Sequence, residues 1–188
     1  ERTRYLETLV DVMGTPDIKV ITGIRRSGKS KLLEALRDYI LANVADANVI
    51  HVNYNLDDFE GIAEYHALLN YVKDRYQPEA VNFLLIDEVQ MCEGFERAIN
   101  SLHASERYDI FITSSNAFLL SSDLATLFTG RTFELGVFPF SFSEFCEYYG
   151  RTDVDDAFDD YALQGGMSGS YLYKNPVQRF KYIADVFR

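Results

Sequence analysis

The sequence predicts an α/β protein of three layers, a mostly parallel five-stranded sheet covered by helices on both faces, followed by the start of a small helical lid. Three observations predict it. Segments of strand character alternate with segments of helical spacing, as a parallel sheet with crossover helices requires. Residues 23–30 form a glycine-bearing loop set between an apolar strand and a helix. The apolar run Phe83-Leu84-Leu85-Ile86 ends in Asp87-Glu88, which puts two carboxylates at the end of a strand without other charge.

Each element has its own signal. A lead-in helix is expected over 4–13, ended by Gly14 with Pro16 in the following turn. Ile18, Val20 and Ile21 mark a first strand at 18–22. Leu32, Leu33, Leu36 and Ile40 recur at helical spacing, so a helix is expected over 29–43. Residues 49–53 read as the second strand, and 68–76 as a helix stopped by Pro78. The third strand is 83–86, followed by a helix at 95–103, a fourth strand at 109–113 and a fifth at 132–137. Beyond Pro139 the pattern changes to aromatic-rich helical turns at Phe140, Phe142, Phe145, Tyr148 and Tyr149, whose spacing is that of packed core side chains.

The chemistry lies first in Gly23-Ile24-Arg25-Arg26-Ser27-Gly28-Lys29-Ser30, a full match to the phosphate-loop pattern G-x-x-x-x-G-K-S/T in its required strand-loop-helix setting. Such a loop turns its backbone N–H groups onto an anion, and the helix N-terminus adds partial positive charge. Lys29 is expected to reach the β- and γ-phosphates of ATP, and the Ser30 hydroxyl to ligate Mg²⁺. Ile24, Arg25, Arg26, Ser27 and Lys31 complete the nucleotide-binding set, the basic residues offsetting triphosphate charge. Asp87 is expected to hold the Mg²⁺ through water. Glu88 is expected to polarise the attacking water as a general base. One strand, 49–53, lies between the phosphate loop and the carboxylate strand, and this insertion with Glu directly after Asp is the pattern of ATPases that hydrolyse with a dedicated glutamate.

Beyond these motifs the chain resembles a family. Residues 20–30, Leu85-Ile86-Asp87-Glu88-Val89-Gln90, Thr113-Ser114-Ser115-Asn116, Thr129-Gly130-Arg131 and Pro139-Phe140-Ser141-Phe142-Ser143-Glu144-Phe145, with Gly165-Gly166 later, are similar to prokaryotic AAA-type P-loop ATPases related to archaeal ATPases. In that group a C-terminal domain of unknown function often follows. The resemblance implies an ATPase core at 1–139 and a helical lid, or the beginning of a C-terminal region, at 140–188. It also implies that Ser115 or Asn116 is the polar sensor of the γ-phosphate, although a turn ending the strand accounts for the same residues. Asn53 is similar to the polar switch that hydrogen-bonds the catalytic glutamate, with a simple strand-end turn as the alternative account. Arg131 stands where such proteins often place an arginine that reaches a neighbouring subunit's nucleotide, with a structural salt bridge as the rival account. The family's Thr-Gly-Ser stands here as Thr113-Ser114-Ser115.

Composition bounds the remaining readings. The chain has 188 residues, 47% of them hydrophobic and 25% charged, enough for one globular domain with a small appendage. A net charge of −11 repels phosphate backbones on average, so nucleic acid is expected only through a C-terminal region outside this chain. That such a region exists is expected from Glu1 at the start and the amphipathic pattern running to Arg188. No apolar stretch is long enough to span a bilayer, and a cytoplasmic protein without membrane contact is expected. Cys92 and Cys146 lack metal-ligand spacing and read as reduced thiols. Asp153, Asp155, Asp156, Asp159 and Asp160 lack the glycine and terminal glutamate of a calcium loop and read as a solvated helix start. The leading expectation is a Mg²⁺-dependent ATPase, able to form a homo-oligomer. A slow nucleotide-gated regulatory module is the alternative, and a small-molecule kinase a weaker one, because residues 140–188 carry few basic residues for a substrate pocket.

Overall fold

The computed structural model describes residues 3–115, 128 and 130–186. The chain divides into two compact units, Arg2–Thr22 with Lys29–Gly136 and Gly23–Gly28 with Val137–Arg188.

The first unit contains α1 (Thr3–Asp11), β1 (Ile18–Thr22), α2 (Lys29–Asn43), β2 (Ala47–Asn53), α3 (Tyr65–Lys73), β3 (Val81–Asp87), α4 (Phe95–Ala104), β4 (Asp109–Ser114) and β5 (Thr132–Gly136). Its five strands lie in the order β2-β3-β4-β1-β5. Each neighbouring pair is parallel, so the sheet is wholly rather than mostly parallel. Side chains alternate across a strand, and here both faces are apolar, as a sheet covered on both sides demands. Ile18, Val20, Ile50, Val52, Leu84, Ile86, Ile110 and Ile112 pack with Leu68 and Val72 of α3 and Ala98, Ile99 and Leu102 of α4. The opposite face carries Ile21, Phe83, Leu85 and Phe111. There α2 touches the sheet and α1 packs on α2, with Leu32, Leu33, Leu36, Ile40 and Leu9 buried. Each such side chain contributes about 1.5–3 kcal/mol on burial.

Element ends differ from the sequence expectation where capping or pairing decides them. α3 begins at Tyr65, because the Glu64 side chain accepts the His66 backbone N–H and starts the helix three residues before the apolar periodicity does. It ends at Lys73, where the bonds from Arg75 N to Val72 O and from Tyr76 N to Lys73 O tighten the last turn ahead of Pro78. β2 and β3 extend to Ala47 and Val81 because those residues pair with each other. Lys19 is a buried charge within the apolar strand β1. Its Nζ donates to Asp109 Oδ1 and to the Thr15 carbonyl, both at 2.6 Å, and the Gly14 N–H donates to Asp109 Oδ2 at 2.8 Å. The pair ties the amino ends of β1 and β4 to the preceding turn.

The second unit contains α5 (Phe142–Tyr149), α6 (Val154–Gln164) and α7 (Pro176–Ala184). Ser141 and Glu144 form a reciprocal capping box at the start of α5. Of the aromatic residues expected in a core, Phe145 is buried, Phe140 and Phe142 are half-buried, and Tyr148 and Tyr149 are exposed at the last turn of α5. The Phe145 ring lies 5.4 Å from Tyr161 and 5.6 Å from Tyr171, centroid to centroid. Tyr161 and Tyr171 retain hydrogen bonds, donating to the Phe140 and Gly165 carbonyls at 2.7 and 2.6 Å. A Cβ at Gly166 would stand 2.2 Å from the Phe140 carbonyl oxygen, so only glycine allows this approach. Of the acidic run, Asp153, Asp155 and Asp156 stand at the start of α6 and Asp159 and Asp160 in its middle, and Arg151 bridges Asp153 and Asp160 at 2.7 and 2.8 Å. Both cysteines are free thiols. Among the described residues no helix is long and apolar enough to cross a membrane.

Candidate active site

Strand order brings the chemistry together. β4 lies between β1 and β3, so the ends of all three strands and the start of α2, which follows β1, share the carboxyl edge where sheets of this kind take ligands. Lys29 is the first residue of α2, Asp87 the last of β3, and Ser115 directly follows β4.

Asp87 is buried at its strand end, and both of its oxygens have partners. Oδ1 accepts from the hydroxyl of Thr113, and Oδ2 accepts from Asn55 Nδ2 at 3.2 Å. Thr113 is itself fully buried, and its Oγ1 also accepts the Glu88 backbone N–H at 2.9 Å. One hydroxyl thus orients the carboxylate and the turn beyond it. Asn53 engages Asn55, whose backbone N–H and Nδ2 both donate to Asn53 Oδ1 at 3.0 Å. The expected switch contact from Asn53 to Glu88 is replaced by a contact to the neighbour of Asp87. Thr113→Val, which keeps shape but removes the bridge, is expected to lower the unfolding free energy by about 1–3 kcal/mol. Urea titration of the variant against Thr113→Ser checks it, the serine form retaining most of the stability.

Glu88 takes left-handed backbone angles, φ 56° and ψ 52°, that start the turn Val89–Met91. Its Oε2 accepts from the Ser115 hydroxyl and from Gln90 Nε2. Its Oε1 lies 3.7 Å from the ammonium of Lys29. Burial alone would raise the Glu88 carboxyl, but the bonds from Ser115 and Gln90 and the Lys29 charge outweigh it and hold the group below the ordinary carboxylate range. Burial acts on Lys29 in the opposite sense, lowering its ammonium below the usual lysine value against the pull of Glu88 and Asp87. A desolvated ammonium at a helix start thus faces an ionised carboxylate.

The other expected site residues fall in several places. Gly23–Gly28 belongs to the second unit. In it the Ser27 N–H bonds the Ile24 carbonyl at 3.2 Å, and a Cβ at Gly23 would stand 2.2 Å from the Val137 carbonyl oxygen. Arg25 and Arg26 are exposed, and the Arg26 guanidinium lies 4.3 Å from the centroid of the Tyr182 ring. Lys31 is exposed on α2 and pairs with Glu34 at 2.6 Å. Ser30 is the second residue of α2, at the same edge as Asp87. Among the described residues no group of three or more His, Cys, Asp or Glu side chains could hold a metal ion. The hard oxygens of Ser30 and Asp87 nevertheless fit magnesium, which keeps waters and needs only one or two protein ligands beside phosphate. Asn116 lies outside the described residues. Arg131 is exposed just before β5, where its carbonyl accepts the Ile18 N–H at 2.9 Å. This is the amino edge of the sheet, about 15 Å from the carboxyl edge across five residues of strand. The chain therefore does not bring its own Arg131 to Lys29 and Glu88. Sequence reading assigned no role to Thr113, Asn55 or Gln90. A hydroxyl near the end of a buried strand, and an amide two residues beyond Glu88, were the available signals.

The family model of an AAA domain matches residues 15–146. An uncharacterized protein of Haemophilus influenzae is 34% identical over 183 residues, covering 94% of this chain and 46% of its own length. The uncharacterized protein MJ1544 of Methanocaldococcus jannaschii is 30% identical over 137 residues, covering 70% of this chain and 28% of its own length. The chain thus spans less than half the length of these curated relatives. AMPPCP-bound DnaA from Aquifex aeolicus superposes with a TM-score of 0.54 at 18% identity, over 95% of this chain and 58% of that one, a likeness of fold.

Proposed function

The chain belongs to the AAA domain family, and on that premise we propose that it binds ATP with magnesium and hydrolyses it to ADP and phosphate, driving or switching a partner. The observation that carries this reading is Glu88, a carboxylate held ionised by Ser115 and Gln90 with its second oxygen beside the Lys29 ammonium. In the proposed reaction the loop 23–30 cradles the phosphates and Lys29 offsets their charge. Ser30 and Asp87 hold magnesium, which supplies further charge neutralisation when bound. Glu88 accepts a hydrogen bond from the attacking water and takes its proton as the water oxygen bonds the γ-phosphorus and the bond to ADP breaks. A loose transition state asks more for orientation of that water than for a strong base, which a carboxylate of lowered pKa can supply. Ser115 holds the base, and in that position it also serves as the polar sensor. Phosphate release from ATP, dependent on magnesium and abolished by EDTA, tests the reading. Absence of release at any protein concentration would reject it.

A slow nucleotide-gated module is the second reading. It is favoured by the same contacts, since two protein donors already hold one oxygen of the base and the Lys29 ammonium faces the other. Single-turnover measurement separates the two, slow cleavage of bound ATP favouring the switch.

The place of Arg131 at the amino edge supports a site completed by a second copy of the chain. Specific activity is then expected to rise with protein concentration. Mixing Arg131→Ala with Glu88→Gln in a longer chain is expected to restore part of the activity, because wild-type Glu88 and wild-type Arg131 meet from different copies. A flat concentration dependence without recovery assigns Arg131 to the fold of its own subunit.

A further inference from the structure

We infer that Gln90 is a positioning residue for the hydrolytic carboxylate, holding Glu88 by Oε2 so that Oε1 alone is presented to the reaction. The inference rests on the reading of Glu88 above. Three observations carry it. The left-handed conformation of Glu88 turns the chain sharply, and the bonds from Met91 N to Glu88 O and from Cys92 N to Val89 O, both 3.0 Å, close the turn. The Gln90 amide thereby returns onto the carboxylate two residues before it, and Nε2 donates to Oε2. Ser115 donates to that same oxygen, which leaves Oε1 on the side of Lys29.

The second observation is that Asn53, which resemblance assigned to this task, is turned to Asn55. Among the described residues Glu88 thus takes its side-chain amide contact from within its own turn. The third is the other end of the same amide. Gln90 Oε1 is buried and has no hydrogen-bond partner among the described residues. Among the described residues the amide is thus engaged only through its donor end, on Glu88. What the amide contributes there is the orientation of Glu88. Two donors on one carboxylate oxygen fix the carboxylate plane, whereas Ser115 alone leaves rotation about the Glu88 side chain.

The test uses Gln90→Met, which keeps length and removes the donor, with Gln90→Ala as a second variant. The Glu88 carboxyl is followed by carbon NMR in protein labelled at glutamate side chains, its signal identified by its absence from Glu88→Gln. In Gln90→Met the Glu88 carboxyl signal at pH 7 is expected to move from its wild-type chemical shift. The urea midpoint should be unchanged or raised and ATP affinity retained within about twofold. The kcat for ATP should fall about tenfold, as displacement of a reacting group produces. An unchanged Glu88 carboxyl signal in both variants overturns the inference, as does failure of both to fold, which would make Gln90 structural. If Glu88 moves as expected while the wild-type protein releases no phosphate from ATP, the hydrolytic reading falls and the hold of Gln90 on Glu88 stands.

Discussion

Lys29→Ala is expected to weaken ATP binding roughly tenfold to a hundredfold, the equivalent of about 1.5–3 kcal/mol for one hydrogen bond to a charged group. The size follows from where the ammonium stands. It is buried at the first turn of α2, so water cannot take over its role when it is removed. Asp87 and Glu88 remain at the same edge, and without Lys29 their repulsion of a triphosphate is less fully offset. Isothermal titration with ATP and magnesium measures the loss, and equal affinities of variant and wild type would remove Lys29 from the proposed site. The lowered pKa adds a second readout. ATP favours the charged ammonium, so wild-type affinity should decline as pH rises toward the value of Lys29, and Lys29→Ala should lack that decline.

Glu88→Gln is expected to bind ATP normally and to lose about 10²- to 10⁴-fold in kcat, the range for removal of a positioned general base. The amide keeps the length of the side chain and can still meet Ser115, so binding and chemistry separate cleanly. Phosphate release and ATP titration on the same preparations decide it. Unchanged turnover would exclude Glu88 as the base and favour a pure binding module. Stability should respond as well. The Glu88 carboxyl lies below its ordinary value of 4.5 in the folded chain. Its stabilising contribution is therefore fully present above that ordinary value and is lost as pH falls through the lowered folded value. Urea midpoints followed from pH 7 downward should fall less steeply in Glu88→Gln than in the wild type.

Much of the fold was legible because its signals are local. An apolar strand, a glycine-bearing loop and a helix in succession mark the phosphate-loop unit within 26 residues, 18–43, and need no distant partner to be recognised. The aromatic spacing after Pro139 was legible only in part, since it marks the buried Phe145 but equally marks Tyr148 and Tyr149, which stay exposed because the helix stops at Gly150. Helix ends were less legible. The start of α3 depends on a side-chain cap at Glu64 rather than on periodicity.

By itself, then, the sequence determined the fold class, the family resemblance and the residue types gathered for phosphate chemistry, all written in segments of a few residues where backbone geometry and spacing suffice. The tertiary structure alone decided which distant segments meet. Insertion of β4 between β1 and β3 sets Thr113 against Asp87 and Ser115 against Glu88. Pairing of β5 with β1 sends Arg131 to the opposite edge, and the Lys19–Asp109 bond joins residues 90 positions apart. The physical reason is that strand order follows from burying both apolar faces of the whole sheet at once, a sum over non-local contacts that no local window contains.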